Sequence, residues 1–324
     1  MRRPVSLRPA RAATTPFLSA LAATALLLTA CGTERADAGS AGGDTAASRA
    51  GTPVDDPGKD GVRVTWMTLP SDSPSPSPSP TRSYQVSAES LPTNADSGIS
   101  ADYEVTNEGA EAMTYTVVFT FMDAGGRAMA NQTETVRDVG PGKTVRGTVA
   151  MEKLAVLTSS VTQARVLQVS KVPADEAPAA PGTCPASGVR VGVDEGDAAM
   201  GLRVVSLHLD NCGTQTYTVE GYPRLELLDD GFEPVDGVAV LDGTGEISTG
   251  LGSDGPPVPV TLEPGESATA GLAWRNTTEF GTAVNVPHVR VRAKEGAEPV
   301  TVTPHLDLGT TGKLGVGPWK KAER

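Results

Sequence analysis

Histidine and cysteine are scarce in this chain, with three of each among 324 residues. That scarcity limits the chemistry available. Zinc wants about four nitrogen or sulfur ligands, and His208, His288 and His305 show no ligand spacing. The Gly-x-Ser-x-Gly elbow of serine hydrolases is missing, and no nucleophile is tied to a base by spacing. The sequence therefore reads as non-enzymatic, with no metal and no cofactor. Positive charge is also short, with 27 Lys and Arg against 39 Asp and Glu for a net charge of -12. Residues 1–30 hold four arginines and no acid, so the rest of the chain stands at -16. Such a chain repels nucleic acid and anionic headgroups, which excludes both as partners of the folded part. No apolar run reaches the ~20 residues of a membrane-spanning helix.

What the chain does have begins at Phe17, where an apolar run leads to Leu28-Thr29-Ala30-Cys31. Arg2, Arg3, Arg8 and Arg11 precede it, giving the charged and apolar regions of a secretory signal. The small residues before the cysteine resemble the lipoprotein cleavage box of bacteria. That resemblance implies a diacylglycerol on the Cys31 sulfur and cleavage just before it. It also implies display on the extracytoplasmic face of the cell membrane, with the membrane itself as a partner through the lipid. The residues around Arg2-Arg3 fit twin-arginine export poorly, so the general secretory route is expected.

Residues 31–82 read as a flexible tether. The first part is Ala, Gly, Ser, Thr and Asp, too poor in apolar side chains to offset the entropy of ordering. Val62 to Leu69 looks like one strand inside it, which either pairs with a neighbouring domain or stays loose. Ser73 to Pro80 alternates Ser and Pro and favours extended polyproline II, a spacer of about 3.1 Å per residue.

From residue 83 the pattern becomes all-β, and two tandem immunoglobulin-like β-sandwiches are expected, over 83–173 and 184–320. Residues 174–183 form a linker and 321–324 a tail. Strands are read at Tyr84–Ala88, Ile99–Val105, Thr114–Met122, Thr133–Val139, Val145–Ala150 and Ala164–Val172, with a helical turn over Lys153–Ser160. In the strongest of these, Tyr115, Val117, Phe119 and Phe121 share one face, which assigns them to the core. The second half has strand patterns from Val189–Val193 to Val300–Thr303. Within Gly201–Leu209 the apolar phase shifts by one residue, which predicts a bulge.

The halves echo each other. Asn107-Glu108-Gly109 precedes Thr114-Tyr115-Thr116-Val117, as Asn211-Cys212-Gly213 precedes Thr216-Tyr217-Thr218-Val219. Pro141-Gly142-Lys143 then precedes a strand, as Pro264-Gly265-Glu266 does. One supersecondary plan used twice is the expectation. With Cys31 lipidated, Cys184 and Cys212 remain as an even pair in an oxidising space, and a disulfide between them is predicted.

Three stretches mimic functional motifs. Gly142-Lys143-Thr144 lacks the earlier glycine of a phosphate loop, since Arg137 stands there. Asp194-Glu195-Gly196-Asp197 lacks the alternating ligands of a calcium loop and reads as a solvated acidic loop. His288, Arg290 and Arg292 alternate with Val289 and Val291, which places them on the wet face of a strand.

Asn211, Tyr217, Gly221-Tyr222-Pro223, Pro264-Gly265-Glu266, Trp274-Arg275-Asn276, the closing Leu306 to Gly312 and Pro318-Trp319 resemble the domain of unknown function 4232 family over about residues 184–320. The resemblance implies an extracytoplasmic β-sandwich of streptomycete-like bacteria with no established activity. Many members carry further cysteines after this point, and here there are none after Cys212. In physical terms Gly221 and Pro223 turn the chain between strands. Tyr222 should lean on the sheet with its hydroxyl bonded at the edge, and Trp274 should fill core volume. Residues 83–173 resemble, more loosely, bacterial immunoglobulin-like surface modules. The functional expectation is a lipid-anchored binding or envelope-interaction module with an unnamed envelope or protein partner. An extracellular hydrolase, its accessory subunit or a ligand-capturing component is the alternative.

Overall fold

The computed structural model describes residues 51–70, 96–152 and 161–322. The export signal with Cys31, the Ser73–Pro80 run, the Tyr84–Ala88 strand and the Lys153–Ser160 turn lie outside them. Among the described residues the structure is all-β.

The first seven strands are β1 (Gly51–Pro53), β2 (Val62–Thr68), β3 (Asp96–Thr106), β4 (Met113–Asp123), β5 (Ala128–Val139), β6 (Thr144–Glu152) and β7 (Val161–Pro173). They form two sheets, ordered β1-β2-β3-β6 and β5-β4-β7. One core lies between the sheets, built from Tyr115, Val117, Phe119 and Phe121 on β4 and from Ile99, Ala101, Tyr103 and Val105 on β3. Each buried aromatic there is worth roughly 1.5–3 kcal/mol of transfer free energy. The Val62–Leu69 strand, read inside the tether with pairing to a neighbouring domain as one option, takes that option and becomes an inner strand of this sandwich: β2 pairs with β3 from Val62↔Val105 to Thr68↔Ser100. Val62, Val64 and Met67 enter the core, so the first domain begins upstream of residue 83.

Strand directions define two ends. Gly51 pairs Thr68, and Asp123 pairs Val161, so the chain enters at the end that holds the Asp123–Arg127 turn. Pro173 pairs Met113 at the opposite end, where the chain leaves for the second half.

The second half adds β8 (Val189–Val193), β9 (Asp197–Ala199), β10 (Leu202–Asn211), β11 (Tyr217–Val219), β12 (Arg224–Leu228), β13 (Ala239–Asp242) and β14 (Val260–Leu262). After these come β15 (Ser267–Arg275), β16 (Val284–Val286), β17 (His288–Arg292), β18 (Val300–Val302), β19 (Leu306–Gly309), β20 (Lys313–Val316) and β21 (Lys320–Lys321). A large sheet runs β13-β20-β15-β10-β8, and β12-β17-β18 form a smaller one. β11-β14 and β16-β19 are two-stranded. A second core unites them around Leu207, Leu209, Leu262, Leu272, Trp274 and Trp319.

The bulge expected within Gly201–Leu209 is not on that strand. β10 pairs with β15 in unbroken register from Leu202↔Arg275 to Asp210↔Ser267. The extra residue sits on the neighbouring edge, where Asp194, Glu195 and Gly196 span the gap opposite Val205 and Ser206. The phase shift marks instead where β10 changes partners from β9 to β8.

The repeated asparagines carry the same construction in both halves. Asn107 Nδ2 donates to the carbonyls of Glu111 (2.6 Å) and Val139 (2.7 Å), and its Oδ1 accepts from the Gly109 amide (2.9 Å). Asn211 Nδ2 donates to Gln215 (2.9 Å) and Leu262 (2.8 Å), and its Oδ1 accepts from Gly213 (3.2 Å). Their backbones match too. Gly142 and Gly265 donate to the Asn107 and Asn211 carbonyls, while the asparagine amides donate to Lys143 and Glu266. Each asparagine thus clamps two arches that cross from sheet to sheet, β3–β4 over β5–β6 and β10–β11 over β14–β15. A buried amide side chain is stable there because all three of its polar contacts are met.

Candidate functional site

The linker after Pro173 is stitched to both halves. Arg137 on β5 donates to the Pro178 carbonyl at 2.7 Å. Glu176 accepts from Arg290 Nε at 2.7 Å and Thr301 Oγ1 at 2.6 Å, and its carbonyl accepts from the Thr301 amide at 2.8 Å. Arg290 also donates to Glu226 at 2.9 Å. These are charge-assisted bonds at half-buried groups, stronger than exposed ion pairs.

Two of the three histidines sit at the join. His305 stands in the left-handed region at φ 50°, an uncommon conformation for a residue with a Cβ. Its Nε2 lies 2.9 Å from Ser170 Oγ and 2.8 Å from the Gln168 amide nitrogen, both on β7 of the first sandwich. The Gln168 amide nitrogen can only donate, so Nε2 accepts from it, and burial lowers the His305 pKa. His288 is 4% exposed, and its Nδ1 has no hydrogen-bond partner. Burial pushes its pKa down to about 4, with Asp230 opposing. Its ring stacks on Phe232 with centroids 4.6 Å apart, and Phe232 packs against the core of the first sandwich. The reading of His288, Arg290 and Arg292 as one wet stripe therefore fails for the first two. The outer face of β17 meets the linker and the first sandwich, and Arg292 alone of the three is exposed.

Between the halves lies an open cleft of about 910 Å³, edged by Lys59 and Asp60, by Gln168, Ser170 and Lys171 of β7, and by Asp230, His288 and His305. Charge of both signs meets there, so the cleft favours neither a strong anion nor a strong cation. No group of three or more His, Cys, Asp or Glu side chains able to hold a metal ion occurs among the described residues.

Of the residues singled out from sequence, His288 and His305 edge this cleft and the disulfide and family motifs lie elsewhere. Cys184 and Cys212 are joined, with Cα atoms 5.6 Å apart. Trp274 is buried, and its indole donates to Asp307 Oδ1 at 2.8 Å, while Asn276 Nδ2 donates to Oδ2 at 2.9 Å. Burial would raise the Asp307 pKa, but those donors and the charge of Arg203 outweigh it, and the carboxyl sits below its ordinary value. Arg275 donates to the Ile247 carbonyl at 3.3 Å. Gly221 takes φ 84° at the turn after β11, and its carbonyl accepts from the Trp319 amide at 2.9 Å. Pro223 is buried beside it. Tyr222 packs half-buried against the second core, but its hydroxyl finds no hydrogen bond among the described residues, contrary to expectation. Tyr217 is half-buried beneath Lys294 Nζ, 4.1 Å from the ring centre. These positions hold the fold of the second sandwich together.

The join was missed by sequence because its parts are far apart in the chain: Ser170 and His305 are separated by 135 residues. The one local signal was a histidine between Pro287 and an alternating strand.

Comparison with known proteins adds little beyond the family. No curated protein matches. Among solved structures, a red sea bream transglutaminase shares 12% identity over 69% of this chain, with a TM-score of 0.15. The match spans 29% of that enzyme, and a likeness so low carries no argument. The family model described as Domain of unknown function (DUF4232) matches residues 184–320. Residues 184–320 thus resemble that family, in agreement with the motifs read from the sequence.

Proposed function

We propose that this protein is a lipid-anchored, extracytoplasmic binding module of two immunoglobulin-like sandwiches, held to the membrane through Cys31 and acting without catalysis. The observation that carries the reading is the placement of the two ends. Gly51 enters the first sandwich at the end remote from Pro173, and the linker clamp at Glu176 joins the halves at the other. A tether preceding Gly51 would present the second sandwich outward. The Cys31→Ala variant should be released into the medium, and mass spectrometry should find a diacylglycerol on the wild-type N-terminal peptide. An unmodified, uncleaved N-terminus would refute the anchor. Pull-down of envelope components by the lipid-free ectodomain tests the binding role, and failure to enrich any partner would count against it.

The hydrolase alternative has one observation in its favour, the 2.9 Å approach of Ser170 Oγ to His305 Nε2. A nucleophile needs that nitrogen as a free base. Here the Gln168 amide already occupies it, and Ser170 is mostly buried in a strand. A fluorophosphonate probe should leave Ser170 unlabelled, and stoichiometric labelling there would favour the hydrolase.

A further inference from the structure

Where the sheets of the second sandwich meet the linker there is a groove of about 490 Å³ that shares no lining residue with the histidine cleft. Its floor is Val189, Val191 and Ala293, all buried, and its walls are small apolar side chains: Ala177 and Ala179 of the linker, Ala297 and Pro299 of the β17–β18 loop. Of the strands that border it, β18 is covered by the linker, whose Glu176 carbonyl accepts from the Thr301 amide, while β8 pairs only with β10 and, with Ser187 Oγ engaging the Val189 backbone, keeps its edge open at Val191. An edge presents backbone N–H and C=O groups that a further strand can use.

The rim carries a consistent charge. Asp175, Glu295 and Glu298 line the groove, and none of them has an ion pair or hydrogen bond among the described residues. The two cations present are already engaged. Arg190 donates twice to Asp210, at 3.1 and 2.8 Å, and Lys294 donates to the Thr218 carbonyl at 2.9 Å while covering the Tyr217 ring. A negative rim around a narrow apolar floor selects a guest with basic groups spaced along an extended backbone.

We propose that this groove docks an extended, positively charged segment of a partner protein, which lies along the open edge of β8 with its small apolar side chains on Val189 and Val191. The proposal deepens the binding-module reading and rests on it. The fit is that of strand addition, in which main-chain bonds supply affinity and alternate side chains supply selection. Small wall residues leave room for the guest, and the acids at the mouth would meet its lysines or arginines.

The test uses the folded ectodomain and a fluorescein-labelled Lys-Val-Lys-Val-Lys-Val peptide as probe. Saturable binding by anisotropy is expected, with amide-exchange protection gained at Val191. The Glu295→Lys/Glu298→Lys double variant should weaken it about tenfold, as reversal of two rim charges implies. Ala297→Trp, which fills the groove from a half-buried place in the β17–β18 loop, should abolish it. Far-UV circular dichroism and a urea midpoint matching wild type confirm that both variants fold. A peptide with every second amide N-methylated should not bind. No binding at millimolar probe overturns the proposal. So does binding that survives both Ala297→Trp and N-methylation, since that would be mere attraction to an acidic chain. If the ectodomain enriches envelope partners and the Ala297→Trp variant enriches them equally, the groove is refuted while the binding module stands.

Discussion

Replacing Asn211 by alanine removes three hydrogen bonds from a buried corner, and the cost can be worked from where each lost partner sits. The Leu262 carbonyl lies in a buried contact and would be left unpaired, costing about 1–3 kcal/mol. The Gln215 carbonyl and the Gly213 amide are in partly buried contacts, where water recovers some of the loss, so each adds roughly 0.5–1 kcal/mol. The expected destabilisation is about 3 kcal/mol. Asn107→Ala should cost nearly the same, because it breaks one buried and two partly buried bonds of the same pattern. Urea unfolding read by tryptophan fluorescence distinguishes the halves, since Trp66 lies in the first and Trp274 and Trp319 in the second. Hydrogen exchange should show each variant loosening its own arches first. Asn211→Asp keeps the shape but faces two carbonyls with a carboxylate. It should be less stable than Asn211→Ala at pH 7 and recover toward acid, where the protonated acid can again donate. A loss below about 1 kcal/mol for either alanine variant would refute the clamp, and a loss confined to one of them would refute the equivalence.

Acid should loosen the join. The His288 pKa in the fold, about 4, lies below its ordinary 6.5, so its neutral form stabilises the fold above pH 6.5, and that contribution is lost as pH falls toward 4. The groups that act on it are Asp229, Asp230 and His305 of the second sandwich and Lys171 of the first. His288→Leu should flatten the urea midpoint between pH 7 and 4.5, and an unchanged slope would exclude His288 as the cause. Glu176→Gln removes the charge shared by Arg290 and Thr301 and should cost about 1–2 kcal/mol. Faster amide exchange at residues 174–180 without global unfolding would show it. Reduction of Cys184–Cys212, 28 residues apart, should lower stability by about 3 to 4 kcal/mol on the chain-entropy model, measured by urea unfolding with and without reductant.

The strands were legible where burial is one-sided. Tyr115, Val117, Phe119 and Phe121 alternate because one face meets the core, and a two-residue period is the direct trace of that. The asparagine arches were legible because each needs Asn-x-Gly and Pro-Gly at its corner, chemistry that survives in the letters. The join left no such trace. His288 alternates with valines on β17, as a surface residue would, and what buries it is Phe232, in a loop 56 residues earlier. Two strands near the C-terminus, β19 and β20, were missed as strands. Leu306–Gly309 and Lys313–Val316 are only four residues each, too short for periodicity to register. Asp307 was likewise invisible as the partner of Trp274 and Asn276, because it acts across 33 and 31 residues.

The position of Gly51 has a mechanical consequence. A pull on the chain ahead of it would draw β1 out along its own length, so that its three pairs with β2 are loaded in shear and share the force. The next element to feel the load is β2, gripped at Val62, the end facing the join, and drawn back along its own length. Such a pull peels the β2–β3 ladder one pair at a time, starting at Val62↔Val105. Under tension the molecule would hold until β1 slips free and then lengthen softly.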